Sequence, residues 1–229
     1  APVVCTEEVT TVTELEAAVG TLGPGKTVCL APGDYVLAGR LVLDAAKSGT
    51  AAEPAVIAAR DGLGSVTVDA AGAEEAIWVS GASFVRITGL RITGGAYHAF
   101  KVDHPSADVY IVDNVLFDNT HAGDAGGQYS AIKGCCLQQR TFVENNEIYE
   151  TSCPSTNLQG VDCNGCKGWE VRNNRIHGIL ASPDFSPRAL RERGVAMVQQ
   201  HFTLVPTLTA GENLALARPS GRLRPGRPQ

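Results

Sequence analysis

One pattern occurs four times between Ala76 and Gly178, and it constrains the fold more than any other feature of the chain. An apolar residue, a spacer and a second apolar residue lead into two turn-type positions. Leu or Asn follows, then a spacer and an apolar residue. The copies are Val85-Arg-Ile87-Thr-Gly89-Leu90-Arg-Ile92, Val109-Tyr-Ile111-Val-Asp113-Asn114-Val-Leu116, Thr141-Phe-Val143-Glu-Asn145-Asn146-Glu-Ile148 and Trp169-Glu-Val171-Arg-Asn173-Asn174-Arg-Ile176. The place held by Leu90 recurs as Asn114, Asn146 and Asn174, at steps of 24, 32 and 28 residues. Units of this length are too small to bury a core alone and become stable by stacking.

A shorter strand-like piece begins 13 or 14 residues before the Leu or Asn position of each copy: Ile77-Trp-Val79, Phe100-Lys-Val102, Ile132-Lys-Gly134 and Val161-Asp-Cys163. Period 2 places the outer two residues on one face and the middle one on the other. Position 89 and its equivalents are Gly, Asp, Asn and Asn, the residues that most easily adopt positive φ. Each unit therefore reads as strand, loop, strand, one-residue left-handed corner, strand. Asn114, Asn146 and Asn174 are expected to stack, their amides bonding along the coil as identical Asn side chains do. A coil of short parallel strands with an Asn ladder is a parallel β-helix. An antiparallel sandwich is the alternative, but it gives no reason for turn residues to fall in one column.

Segments such as VRITGLRITG and WEVRNNRIHG, with the ladder between them, resemble the right-handed β-helix repeat proteins of the pectate-lyase-like superfamily over roughly residues 8–179. The resemblance implies an all-β solenoid with an N-terminal capping helix. That superfamily includes polysaccharide lyases, glycoside hydrolases, epimerases, phage tailspikes and surface proteins. It points to a polysaccharide partner and leaves the reaction to be argued from the site.

Ahead of the repeats, Thr13-Glu-Leu-Glu16 is a capping box that predicts a helix over about 13–20, placed to plug the N-terminal end of the coil and shield its strand edges. Gly20-Thr-Leu-Gly-Pro-Gly25-Lys26-Thr27 matches the expression for a phosphate-binding P-loop. Such a loop follows a strand and opens a helix. Here the helix comes first and a strand follows, so a β-helix entry turn is the better reading. Tyr35-Val36, Leu41-Val-Leu43, Val56-Ile57 and Val66-Thr-Val68 are the early strands. Two insertions, 119–130 and 151–159, lengthen the second and third units at equivalent places and are expected to leave one edge of the coil.

The chain has 229 residues, 44% apolar, with 25 glycines and a net charge of −5. The charge gives no reason to expect nucleic acid as a partner, and no apolar run has the length of a membrane span. Seven cysteines suggest disulfides in an exported protein, secreted, periplasmic or on the cell surface. Cys5 and Cys29 flank the predicted helix and form a natural pair. Cys135, Cys136, Cys153, Cys163 and Cys166 fall in neighbouring units, where disulfides, free buried thiols and a tetrathiolate zinc site on Cys135, Cys136, Cys163 and Cys166 all remain open. The only Met is Met197, and a chain that begins at Ala1 fits a trimmed export signal or a boundary chosen for expression. A monomer is expected.

The repeat stops after Ile179, which divides the chain into a β-helix domain, 1–179, and a tail, 180–229. Residues 186–217 are similar to the Q-loop segment of ATP-binding subunits of sugar and nucleoside ABC importers, with Gln200 at the glutamine and Glu212-Asn213 at the motif after it. A P-loop in context, a Walker B strand and an LSGG signature are missing from the sequence, so the resemblance implies no ATPase. The Arg/Pro-rich end, 218–229, reads as disordered.

Chemistry is sought in the middle residues of the short strands. Trp78, Lys101, Lys133 and Asp162 are expected to form an outward column on successive rungs roughly 4.8 Å apart. A lyase acting on a uronate polymer needs a base for the proton α to the carboxylate and a cation to neutralise that carboxylate. The resemblance implies Lys or Arg as base, with calcium on Asp carboxylates. Lys101, Lys133 and Asp162 are the candidate catalytic residues. Trp78, Asp103, His104, His121 and Arg140 are candidate substrate contacts, and Asp118 and Asp124 candidate calcium ligands. A glycoside hydrolase would need two carboxylates facing each other across a groove, and no spacing singles out a pair. The alternative to all of this is a solvated charge ladder on an exposed sheet, its Lys133–Asp162 pair contributing less than ~1 kcal/mol, in a non-catalytic surface or adhesion protein.

Overall fold

Short alternating runs become strands, and each strand pairs in parallel with its equivalent one turn of the coil away. The computed structural model describes residues 3–119, 129–136, 139–151 and 158–179. His121, Asp124 and Cys153, the tips of both insertions and the ABC-like segment lie outside the described residues.

Three parallel sheets run along the coil. The first holds seven strands, in the order Glu7–Val9, Thr27–Leu30, Ala55–Ala59, Ser83–Thr88, Ala107–Val112, Thr141–Glu144 and Glu170–Arg172. The second holds six, Gly33–Val36, Val66–Asp69, Arg91–Thr93, Val115–Phe117, Glu147–Tyr149 and Arg175–His177. The third holds five, Leu41–Asp44, Glu75–Ser80, His98–Asp103, Tyr129–Cys135 and Leu158–Asn164. A full turn passes from third sheet to first to second. The architecture is the right-handed parallel β-helix expected from the repeats.

Inward residues stack by register. Ile77, Phe100 and Ile132 form one fully buried column, Ile87, Ile111 and Val143 a second, and Ile92, Leu116 and Ile148 a third. Each such side chain contributes about 1.5–3 kcal/mol by leaving water. In the third sheet the inward place after Val79 and Val102 falls to Gly134. A Cβ there would stand 2.4 Å from the Trp169 ring, so the glycine lets that indole pack on the core.

The corner between first and second sheets has the conformation its residues suggest. Gly89, Asp113, Asn145 and Asn173 lie at φ of 77°, 57°, 56° and 56°. Immediately after each corner, the Leu90 N–H donates to Asn114 Oδ1 at 3.1 Å. Asn114 Nδ2 donates to Asn146 Oδ1 at 3.2 Å, and Asn146 Nδ2 to Asn174 Oδ1 at 2.9 Å. Asn114 and Asn146 are buried, where amides without partners would cost about 1–3 kcal/mol each.

The helix begins earlier than expected. It spans Val12–Gly20, capped by Thr11, whose hydroxyl accepts from the Glu14 N–H while Glu14 Oε2 accepts from the Thr11 N–H. The Thr-x-x-Glu spacing occurs twice, at Thr11–Glu14 and Thr13–Glu16. The earlier pair wins because Glu14 also accepts from the Thr10 N–H and hydroxyl, at 2.7 and 2.9 Å. Leu15, Ala18 and Val19 then bury against the first turn of the coil. Gly20 ends this helix and Thr27 opens a strand, the reverse of the order a P-loop needs.

Six cysteines form disulfides: Cys5–Cys29, Cys135–Cys136 and Cys163–Cys166. The four that left a zinc site open are thus joined in pairs. Among the described residues, no three His, Cys, Asp or Glu groups converge as metal ligands would. Disulfides are compatible with an extracellular protein. Among the same residues no helix is long and apolar enough to cross a membrane.

Candidate functional site

The third sheet brings the expected column into register. Trp78 pairs with Lys101, Lys101 with Lys133, and Lys133 with Asp162, on four consecutive rungs. Strand alternation puts these side chains opposite the buried Ile77 and Val79, Phe100 and Val102. One residue C-terminal to the middle rungs the coil interior resumes, so the column is held by the core behind it.

Ion pairs tie the column together. The Lys133 ammonium lies against Asp162 Oδ2, with only 9% and 15% of the two side chains exposed. This departs from the expected solvated ladder, because a pair so covered is screened little by water. Lys101, 32% exposed, stands 3.5 Å from Asp103 Oδ2. The Trp78 indole N–H donates to the same oxygen at 2.8 Å. Arg40 lies over the Trp78 ring at 4.3 Å from its centroid, and the Lys101 ammonium at 5.5 Å. Trp78 therefore meets cations across its face and holds Asp103 with its edge.

The remaining expected residues are less closely gathered. Asp103 joins the site through Trp78 and Lys101. His104 is exposed in the turn after that strand. Arg140 grips Asp108 with two hydrogen bonds, at 2.8 and 2.6 Å, at the N-terminal end of the first-sheet strand Ala107–Val112. Asp118 takes a left-handed conformation, and its carboxylate accepts from the Thr151 N–H at 2.7 Å and hydroxyl at 2.9 Å. It closes the root of one insertion against the other, an arrangement that does not by itself build a calcium cage.

Three residues next to the column escape a reading by repeats. Arg40 precedes the four copies, so nothing in their columns marks it. Its guanidinium bonds Glu75 Oε1 at 2.7 Å and Glu74 Oε2 at 2.8 Å. Burial pushes the Glu75 carboxyl above its ordinary pKa, and the Arg40 bond acts against that shift. His98 pairs with Glu75 in the strand register and leads the strand that carries Lys101. Both stand three residues before a member of the column, an odd step that a period of two does not connect to it.

No family model and no curated protein matches the chain. Among solved structures, an alginate lyase from Paenibacillus sp. str. FPU-7 aligns with a TM-score of 0.55 at 19% identity, over 80% of this chain and 70% of that one. A PL6 family polysaccharide lyase from Pseudopedobacter saltans aligns at a TM-score of 0.34 and 13% identity, over 75% of this chain and 52% of that one. At such identities the likeness to the alginate lyase is one of fold.

Proposed function

We propose that this chain is an exported protein that binds a uronate-containing polysaccharide along its third sheet and cleaves it by lyase chemistry. The observation that carries the reading is the register of Lys101 and Lys133 on adjacent rungs, on a fold shared with an alginate lyase. An acidic polymer needs cations at a spacing that a rigid scaffold can hold, and stacked strands supply one. In this reading Lys101 and Lys133 face a uronate carboxylate and neutralise the charge that grows on it as the neighbouring C–H breaks. Asp162 orients Lys133, while Asp103, held by Trp78, orients Lys101. An ammonium group is suited to that charge neutralisation.

One observation favours a binding protein without turnover: each lysine already faces a carboxylate of the chain. The two readings part in one experiment. The purified protein is incubated with alginate, polygalacturonate and a neutral glucan, and the ultraviolet absorbance of an unsaturated uronate is followed. Product from a uronate polymer, lost at least about 100-fold in Lys101→Met/Lys133→Met, is the expected result. Binding without product would leave the non-catalytic reading, and unchanged turnover by the double variant would place the site elsewhere.

A further inference from the structure

We propose that the cavity beside Arg40, at the N-terminal end of the third sheet, is a subsite for the carboxylate of a uronate residue several sugars from the lysine pair; the assignment rests on the polysaccharide-binding part of the reading above. The cavity holds about 450 Å³. Glu16 and Val19 of the helix line it, with Gly39 and Arg40 just before the strand Leu41–Asp44, Val42 within that strand and Lys47 soon after it. Strand alternation explains the place of Val42: Leu41 and Leu43 are buried in the core, and Val42 between them faces outward. Val42 pairs with Trp78, Trp78 with Lys101 and Lys101 with Lys133. The cavity therefore continues the lysine column toward the N-terminal end of the coil.

Arg40 is held in place by one end of its guanidinium and leaves the other open. Nη1 donates to Glu75 Oε1 at 2.7 Å and to Glu74 Oε2 at 2.8 Å, and the group lies over the Trp78 ring at 4.3 Å from its centroid. Its other edge, Nε–H and Nη2–H, meets no acceptor among the described residues. No buried side-chain nitrogen there lacks a partner, so this edge reaches open space, and the cavity is the space that Arg40 lines. That edge is the one a guanidinium presents side-on to a carboxylate. The chain uses it this way elsewhere: Nε and Nη2 of Arg140 hold Asp108 at 2.8 and 2.6 Å, and those of Arg60 hold Asp61 at 2.9 and 3.0 Å. Two parallel donors with no acceptor select an anion that offers two oxygens. Lys47 adds a second cation to the lining, bonded to Asp44 Oδ2 at 2.7 Å. Glu16 alone among the lining residues is acidic, and it is exposed to water.

The spacing fixes what the subsite does. From the rung of Val42 to that of Lys133 there are three steps, roughly 14 Å at 4.8 Å per rung. A disaccharide seated on both lysines is too short to reach Arg40, and a hexasaccharide is long enough. The subsite therefore ties affinity to the length of an acidic ligand and takes no part in bond breaking. Gly39 keeps room for it: a Cβ there would meet nothing within 4 Å, and its φ lies outside the left-handed region, so a larger side chain enters without backbone strain.

The test titrates the full chain calorimetrically with saturated di- and hexasaccharides of galacturonate and of mannuronate, in wild type, Arg40→Lys and Gly39→Leu. Lysine keeps a cation beside the buried Glu75 but has no side-on edge. Wild type is expected to bind a hexasaccharide more tightly than the disaccharide of the same sugar. Arg40→Lys is expected to weaken the hexasaccharide about tenfold or more and to leave the disaccharide unchanged, and Gly39→Leu to do the same by filling the cavity. The hexasaccharide with its carboxyls methyl-esterified is expected to bind wild type and Arg40→Lys alike. Equal hexasaccharide affinity of Arg40→Lys and wild type, an equal loss at both lengths, or the same loss with the esterified ligand would overturn this assignment while leaving the polysaccharide reading intact. A wild type that binds none of the uronate oligomers would remove that reading, and this assignment with it.

Discussion

Two ladders of side chains climb the same coil, and they solve opposite problems. At the corner between first and second sheets, Asn114, Asn146 and Asn174 bond to one another and to backbone, so that each amide is both donor and acceptor. That ladder is neutral and self-sufficient, with Asn114 and Asn146 buried. On the third sheet, Lys101 and Lys133 cannot bond to each other, and each recruits an acid, Asp103 or Asp162. The stacking geometry is the same, but repetition of an amide satisfies the fold while repetition of an ammonium opposes it. A coil that places two lysines on adjacent rungs therefore accepts a cost that its architecture does not require. This is the physical ground for seeking function in the third sheet and stability at the corner.

The comparison can be broken at either ladder. Asn114→Ala strips the acceptor from the Leu90 N–H and the donor from the Ile87 and Val112 carbonyls. A loss of about 2–3 kcal/mol is expected in urea unfolding. Asn146→Leu is also expected to destabilise, although Leu90 occupies the equivalent place. Leu90 ends the ladder, whereas Asn146 Oδ1 accepts the Asn114 N–H at 3.0 Å in its middle.

Lys133→Met leaves Asp162 largely covered and without its cation, and about 1–3 kcal/mol is expected to be lost. Adding Asp162→Leu should restore part of it, since removing both charges lifts the burial penalty. Simple additivity of the two losses would show that the pair is a surface pair after all. Asn145→Val forces a β-branched residue into φ near 56° and is expected to lower stability by about 1–3 kcal/mol. Equal melting of this variant and wild type would count against the left-handed corner.

The smallest effect concerns pH. Folded His98 holds its proton less tightly than the unfolded chain, whose imidazole titrates near ~6.5. As pH falls from there toward the depressed folded value, the unfolded state binds more protons and stability drops. Urea midpoints across that window should show a shallower pH slope for His98→Asn than for wild type.

Much of the fold was legible because it depends on residue type at a fixed place. Gly89, Asp113, Asn145 and Asn173 mark their corners by tolerating positive φ, and the Asn residues after them mark the ladder. The register of Trp78, Lys101, Lys133 and Asp162 followed from those corners. The helix start did not, because one spacing of Thr and Glu occurs twice within six residues and only the added bonds from Thr10 choose between them. The cover over Lys133 and Asp162 also depends on what neighbouring rungs and loop roots place around them, which no period in the sequence records. Nothing in the repeat columns marks His98. Its distinction lies in the Ser130 carbonyl one rung away, a contact 32 residues distant in the chain.

The most direct test of the account is backbone-amide chemical-shift mapping of the protein titrated with a saturated oligouronate, made with Lys101, Lys133 and Asp162 intact. The account predicts perturbations concentrated on the third sheet, at residues 98–103, 129–135 and 158–164, and weakened in Lys101→Met/Lys133→Met. Perturbations confined to the outer surfaces of the first and second sheets, or none at any concentration of the ligand, would contradict it.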